Sequence, residues 1–253
     1  MGSMTISSIA FVCTFSGALL GLFLRSVLPE HHLSDKTRDA VKVGTGLIAT
    51  LTALVLGLLI SSAKSSFDVM SDELKQSGAR VIFLDRTLAR YGPETKEARD
   101  LLRFSLVSAI NLIWPEDKTV HADLKSVEKS TGIDKMLDKL RTLSPKYDSQ
   151  RMFQTQALQI CNDLLQSRWL VIEQTHGALP TAFLVVLVFW LTIFFICFGL
   201  FSEPNATVIA VMLVCALSVS GAIFLILEMN LPLEGMIKVS SAPLHKALEL
   251  LGQ

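Results

Sequence analysis

Long uncharged runs alternate with polar segments along this chain, and the longest helical pattern joins one of each. Residues 43–63, VGTGLIATLTALVLGLLISSA, are an uncharged run of 21 residues. At a rise of about 1.5 Å per residue, a helix of that length crosses a hydrocarbon core of roughly 30 Å. The polar segment that follows contains no proline before Pro93. We therefore predict a single helix that leaves the membrane near Lys64 and continues into water.

The polar half of this helix has apolar residues mostly at steps of three and four, which predicts one buried face. They are Phe67, Met70, Leu74, Val81, Leu84, Leu88 and Tyr91.

The membrane half carries two different faces. Small and weakly polar residues repeat along one of them: Gly46, Thr50, Ala53, Gly57 and Ser61. The other is a leucine face, expected to pack on the first or fourth span or to turn inward as a gate: Leu47, Leu51, Leu54 and Leu58. A face of small residues either packs against another helix backbone or borders water at the axis of an oligomer. The pattern leaves both interpretations open.

Further uncharged runs at residues 5–24, 178–201 and 206–227 are also long enough to span a bilayer. Gly17 and Gly21 in the first run form a GxxxG pair, which allows close helix packing. Together with residues 43–63, these runs predict an all-α integral membrane protein with four transmembrane helices.

The region between the second and third spans is polar and helical in its periodicity. Helices are expected at residues 94–114, 133–143 and 144–174, with a loop at 115–132. The C-terminal tail alternates apolar and polar residues, so it lies along the membrane interface or packs on the bundle. The chain thus divides into four parts: a first transmembrane hairpin (residues 1–64), a helical soluble bundle (65–177), a second transmembrane hairpin (178–230) and an amphipathic tail (231–253).

The connection at residues 25–42 is expected to be a polar loop. It contains His31 and His32, with Glu30 and Asp35 nearby. Adjacent histidines point in different directions on a helix, and no spaced third ligand is obvious, so no metal site is expected.

Composition excludes several classes of protein. Hydrophobic residues make up 51% of the chain, and 23 basic residues balance 23 acidic ones, so no nucleic-acid footprint is present. The four cysteines include no Cys-x-x-Cys and do not suggest a disulfide framework. There is no HExxH, P-loop, GxSxG or dinucleotide fingerprint, so neither an enzyme nor a cofactor is expected.

Several stretches resemble a bacterial family of four-span membrane proteins described as bestrophin-like. The matching stretches are residues 46–68, 84–102, 202–228 and 233–244, which cover both hairpins and the start of the bundle. The resemblance implies a homo-oligomer, a pentamer by analogy with bestrophins, whose second helix walls an ion pore. It also implies an aromatic neck and an acidic calcium site. Residues 43–63 contain no aromatic, and no acidic cluster matches such a site convincingly.

The resulting hypothesis is a homo-oligomeric ion channel in the bacterial inner membrane, in contact with lipids and inorganic ions. Gly46, Thr50, Ala53, Gly57 and Ser61 would line the pore, and Lys64, Glu228 and Glu234 would stand at its mouth. Lys64 slightly favours anions. The alternative is a non-conducting scaffold or signalling protein assembled through the same helices.

An even number of spans places the bundle and both termini on one side of the membrane. We expect that side to be the cytoplasm, from the bestrophin-like layout and the absence of paired cysteines in the bundle. The positive-inside rule, read strictly, favours the opposite orientation, because Arg25, Lys36, Arg38 and Lys42 share one short loop.

Overall fold

The computed structural model describes residues 2–29, 35–115, 132–176, 181–233 and 235–252. Within these residues every regular element is helical. A short 3-10 helix spans Pro93–Thr95. The α-helices are α1 Ser3–Val27, α2 Asp35–Tyr91, α3 Lys96–Ile113, α4 Gly132–Thr142, α5 Asp148–His176, α6 Thr181–Leu200, α7 Ala206–Met229 and α8 Ala242–Leu250. The predicted all-α class is confirmed.

Four of the described helices are long and apolar enough to cross a membrane, as predicted. They are α1, α2, α6 and α7. Their apolar composition fits a lipid environment, in which a helix satisfies its own backbone hydrogen bonds.

The longest element is α2, with 57 residues. It ends at Gly92, whose φ of 135° is open to glycine and strained for other residues. Beyond this turn, the Thr95 hydroxyl donates hydrogen bonds to the carbonyl oxygens of Leu88 and Gly92, at 2.6 and 2.8 Å. The bond to Leu88 satisfies one of the carbonyl groups that the end of the helix leaves without an intrahelical partner.

The chain divides into two compact units. The apolar unit comprises Met1–Ser65 and Ala178–Asn230, and the bundle comprises Ser66–Gly177 and Leu231–Gln253. In the apolar unit, α1 packs along α6 and α7. Arg38 at the start of α2 donates a hydrogen bond to the carbonyl oxygen of Phe201, at 3.2 Å.

The bundle has a continuous core built from α2, α3, α4, α5 and α8. The apolar positions expected on the polar half of α2 are buried there, apart from the half-buried Phe67. On α3, burial recurs at intervals of four and three residues: Ala98, Leu102, Leu106, Ile110 and Ile113. This spacing is that of one helical face turned toward the core.

The tail packs on the bundle, which decides between the two placements left open by its sequence. Leu233, Val239 and Leu244 are buried in the bundle core. The Trp114 indole donates a hydrogen bond to the carbonyl oxygen of Val239, at 3.1 Å. A Cβ at Gly78 would lie 2.9 Å from the carbonyl oxygen of Pro243, so α8 approaches the backbone of α2 closely.

The polar loop expected at residues 25–42 is wrong over most of its length. Helix α1 continues to Val27, and α2 already begins at Asp35. The uncharged run shows only which part of a helix can contact lipid. The helix itself extends beyond that run into polar residues until a helix-breaking residue ends it. Residues 30–34, with His31 and His32, lie outside the described part of the chain.

Two helix bounds in the bundle also differ from expectation. Helix α4 ends at Thr142, and α5 begins at Asp148 rather than at residue 144. Between them, the Lys146 backbone N–H donates to the Gln150 side chain at 2.8 Å, a bond made outside the helix. The loop expected at 115–132 lies mostly at residues outside the described chain.

Candidate functional site in the apolar half of α2

The small-residue stripe of α2 is Gly46, Thr50, Ala53, Gly57 and Ser61, and all of it is exposed on the single chain. A Cβ added at Gly46 or at Gly57 would meet no atom within 4 Å. The Thr50 hydroxyl donates to the carbonyl oxygen of Gly46 at 2.9 Å, which leaves its oxygen facing outward as an acceptor. The stripe is therefore a smooth, weakly polar and uncharged surface.

The leucine face beside the stripe is exposed as well. Its four residues, Leu47, Leu51, Leu54 and Leu58, are 40–63% exposed. The expected packing of this face on the first or fourth span is therefore wrong within one chain. Leucine gains as much from lipid tails as from a protein neighbour, so this face has no need of a partner in its own chain.

The apolar half of α2 contacts its own unit along a different side. Leu59 and Ala63 are buried with residues of α1, α6 and α7. Thr52 is buried on that side too, and its hydroxyl makes no hydrogen bond. Only 11% of the most apolar stretch of α2 is buried, against 33% in α1 and 28% in each of α6 and α7. Among these four helices, α2 is the one that its own chain covers least.

The glycine pair of α1 lies in a different environment. Gly17 and Gly21 are both buried. A Cβ at Gly17 would lie 3.1 Å from the Thr192 carbonyl oxygen, and one at Gly21 would collide with the backbone of Ile196 and Leu200. Gly199 on α6 faces Gly21, so a glycine on each helix allows the two backbones to touch.

The candidate pore-mouth charges differ in their exposure to solvent. Lys64 is exposed. Glu228 is buried at the end of α7, where its carboxylate accepts a hydrogen bond from the Ser3 hydroxyl. A carboxylate at a pore mouth has to face water, and the buried Glu228 does not. Glu234 lies outside the described residues.

No metal site is visible in the part of the chain that the structure describes. Within it, no three His, Cys, Asp or Glu side chains come together in a group that could hold an ion. The described cysteines are all free thiols.

An ion pair in the bundle is a feature that the sequence analysis missed. Asp85 is buried on α2, and Arg99 on α3 donates to both of its carboxylate oxygens, at 2.6 and 2.9 Å. The backbone N–H of Gly252 donates to the same carboxylate at 3.1 Å. The sequence did contain a signal for this buried charge. Asp85 is an acidic residue beside Val81, Leu84 and Leu88, on the side of α2 that the apolar periodicity predicts to be buried.

The pKa of Asp85 reflects these contacts. The residue lies in the bundle, well beyond the apolar run. Burial alone would raise the pKa of its carboxyl group, but the hydrogen bonds from Arg99 and Gly252 and the positive charge of Arg99 outweigh that effect. The pKa therefore lies below its ordinary value, and the carboxylate is charged at neutral pH.

The comparison with known families decides the identity of the chain. The family profile described as the bestrophin-like domain matches residues 12–244, from α1 to α8. The chain belongs to the bestrophin-like family. No curated protein and no solved structure matches it significantly. Membership in the bestrophin-like family and four apolar helices together make it a membrane protein.

Proposed function

We propose that this bestrophin-like protein is a homo-oligomeric ion channel in which the apolar half of α2 lines the central path. The observation that carries the proposal is the exposure of the entire small-residue stripe on a helix that its own chain leaves largely uncovered. Repeated around a symmetry axis, Gly46, Thr50, Ala53, Gly57 and Ser61 form a narrow wall that water can wet.

The distribution of side chains on α2 supports this orientation. At 3.6 residues per turn, Leu59 and Ala63 lie on the side of the helix away from the stripe. They pack within the apolar unit, so the stripe points outward from the chain. Neighbouring copies and lipid can then share the leucine face beside it. The analogy with bestrophins, whose pore is walled by the second helix, supports the same choice of helix.

The wall itself carries no formal charge, so selectivity has to arise at its ends. Lys64 is the exposed charge that directly follows the apolar run. A ring of lysines raises the local concentration of anions and lowers that of cations, since each subunit contributes one positive charge. The proposed channel therefore favours anions slightly.

The test combines conductance with assembly. The full chain and its Gly57→Leu and Ala53→Leu variants are reconstituted in planar bilayers, and their mass is measured by light scattering in nanodiscs. A pore predicts that both variants lose their current while the oligomer stays intact. Ser62→Leu is the matched control, because Ser62 is also small and exposed but lies across the helix from the stripe.

Two results would overturn the channel. The first is the absence of conductance in the wild-type protein across salt, pH and calcium concentrations. The second is loss of assembly in Gly57→Leu and Ala53→Leu, which identifies the stripe as a packing face of a non-conducting scaffold. Selectivity is tested by the reversal potential in a salt gradient, which Lys64→Gln should move away from the anion potential.

We further propose that the bundle and both termini lie in the cytoplasm of a bacterium, with the protein in the inner membrane. Tyr147 is an exposed residue of the bundle, so Tyr147→Cys in a cysteine-free background reports its side. A membrane-impermeant maleimide should label this cysteine only after cell lysis. Labelling of intact cells would reverse the orientation.

A further inference from the structure

The core of the bundle contains a partly open cavity of about 120 Å³, bounded by α2, α3 and α5 with single residues of α4 and α8. Its walls are mostly aliphatic and include Leu74, Val81, Leu102, Leu106 and Leu164. Protein interiors are close-packed, and voids larger than one water molecule are few. A space of this size among core side chains is therefore a feature that the packing of the bundle does not require.

Two short side chains on neighbouring helices create the space. Ser77 lines the cavity between Leu74 and Val81 on α2, and Ala109 lines it one turn after Leu106 on α3. The flanking turns of both helices thus carry larger aliphatic residues than the turns beside the cavity. A cavity of this kind destabilises a core, because the lining atoms lose contacts that longer side chains would supply. A bound apolar molecule would restore those contacts.

Polar groups at the edge of the cavity have partners within the bundle. The Ser105 hydroxyl donates to a backbone carbonyl oxygen one turn earlier on α3, at 2.7 Å. The Ser167 hydroxyl accepts a hydrogen bond from Arg80, and Arg168 pairs with Asp134 at 4.0 Å. A charged ligand would give up its hydration on entering the aliphatic space, which is costly, whereas an apolar one has little hydration to lose. The cavity is therefore suited to an uncharged molecule.

We propose that this cavity binds a small uncharged hydrocarbon or aromatic molecule of about six carbon atoms. An apolar cavity of about 150 Å³ in another protein binds benzene or xenon, and the cavity of this bundle is only slightly smaller. A phospholipid with two acyl chains is far larger than the space, so the ligand is a free small molecule. The site lies in the bundle and is independent of the small-residue stripe on α2.

The experiment observes the cavity by NMR of the full chain in nanodiscs of phosphatidylcholine, with isotope-labelled leucine and valine methyl groups. Benzene is the probe. It also dissolves in lipid, but its ring current shifts only the methyl resonances that lie next to it. The methyl resonances of Leu102 and Leu164, which line the cavity, should shift saturably. Those of Leu140, which is buried in the same core but does not line the cavity, should stay in place.

Variants that fill the cavity test its location. Ala109→Leu places a longer side chain in the space and should weaken benzene binding at least about tenfold. Ser77→Leu fills the cavity from α2 and should do the same, so the result does not depend on the folding of one variant. An unchanged Leu140 methyl resonance shows in each variant that the core is intact. Ala89→Leu, at an exposed position of α2, is the matched control and should leave binding within about twofold.

The class of ligand is tested with relatives of the probe. Benzoate and benzylammonium should each bind at least about tenfold more weakly than toluene, because each of them buries a charge. Toluene is uncharged and close to both ions in size, so it separates the effect of charge from that of volume. Toluene itself should bind within about threefold of benzene.

Three outcomes would overturn the proposal. The absence of saturable shifts at Leu102 and Leu164 would show that the cavity takes no such ligand. Shifts that persist in both folded filling variants would place benzene elsewhere in the bundle. Binding of benzoate or benzylammonium as tight as that of toluene would show that the cavity does not select uncharged molecules.

Discussion

The more hydrophobic half of α2 buries fewer of its residues within the chain than the polar half does. The apolar half, residues 43–63, buries only Thr52, Leu59 and Ala63 within its own chain. The polar half, which follows it, buries a full face of the helix. That face comprises Met70, Leu74, Val81, Leu84, Asp85, Thr87, Leu88 and Tyr91 together with Gly78.

The difference follows from the two solvents that a membrane helix meets. In water, an exposed leucine is unfavourable, so the polar half packs its apolar face in a core. In lipid, leucine is already solvated by acyl chains, and helices associate through close contacts rather than through hydrophobic burial. A full buried face on α2 is therefore expected only where water is the solvent. Exposure of an apolar half is compatible with lipid or with another copy of the chain.

The largest expected difference between the two halves is in the stability lost when a leucine is truncated to alanine. Leu84→Ala in the polar half removes a side chain that is fully buried, which should destabilise the bundle by about 2–5 kcal/mol. Leu54→Ala in the apolar half removes an exposed one and should cost the bundle under about 0.5 kcal/mol. Hydrogen exchange of the amides at residues 66–91 measures both. Similar losses in the two variants would break the comparison.

A glycine pair provides a second test within the apolar unit. Gly21→Ala places a Cβ against the α6 backbone and should destabilise the unit by about 3 kcal/mol, at the upper end for overpacking. Gly57→Ala meets open space and should be neutral, or stabilising by up to about 1 kcal/mol, because alanine favours the helix. Thermal unfolding in detergent, followed by circular dichroism, compares them. Equal midpoints would contradict the close contact between α1 and α6.

Charged groups in the bundle should show the same dependence on burial. Arg99→Ala leaves the buried carboxylate of Asp85 without its main partner, which should cost about 2 kcal/mol after allowance for the partial exposure of Arg99. The exposed pair of Lys75 and Asp72, 2.8 Å apart, is the control, and Lys75→Ala should cost under about 1 kcal/mol. Both free energies of unfolding are measured by denaturant titration of the same protein in nanodiscs.

The pH dependence of that pair has a definite sign. The pKa of Asp85 is lower in the folded protein than its ordinary value, so the unfolded chain binds a proton first as pH falls. The stabilisation is complete above the unfolded pKa of about 4 and is lost as pH falls through the folded value. Arg99→Ala should therefore lose less stability than the wild type between neutral and acid pH. A steeper acid loss in the variant would contradict the pairing.

Helical periodicity predicted the course of α2 and its buried face, because each core position repeats along one side of a continuous helix. The outward placement of Gly46 and Gly57 was not predictable in this way. The same small-residue spacing at Gly17 and Gly21 is buried against α6. A stripe of small residues permits close approach, but the partner is determined by the arrangement of the other helices.

Asp85 and the cavity beside Arg168 illustrate a second limit. A helical period shows which side faces inward, but it gives neither the partner of a buried charge nor the space left between helices. Arg99 reaches Asp85 from another helix, and the residues around the cavity come from five helices. Such features depend on distances across the bundle, which local sequence does not contain.

The smallest expected effect is a difference in labelling between two cysteines rather than a change in stability. Cys161 is buried in the bundle, and burial raises the pKa of its thiol to about 12. At pH 8 only about one such thiol in ten thousand is ionised, so maleimide should label it only after unfolding. Tyr147 is exposed on the same unit, so Tyr147→Cys supplies a water-accessible thiol for comparison. With Cys13, Cys197 and Cys215 replaced by alanine, maleimide should label the cysteine introduced at position 147 in folded protein, while denaturant is needed for Cys161. Mass spectrometry of the labelled peptides assigns each site, and rapid labelling of Cys161 in the folded protein would show that the bundle core opens to solvent.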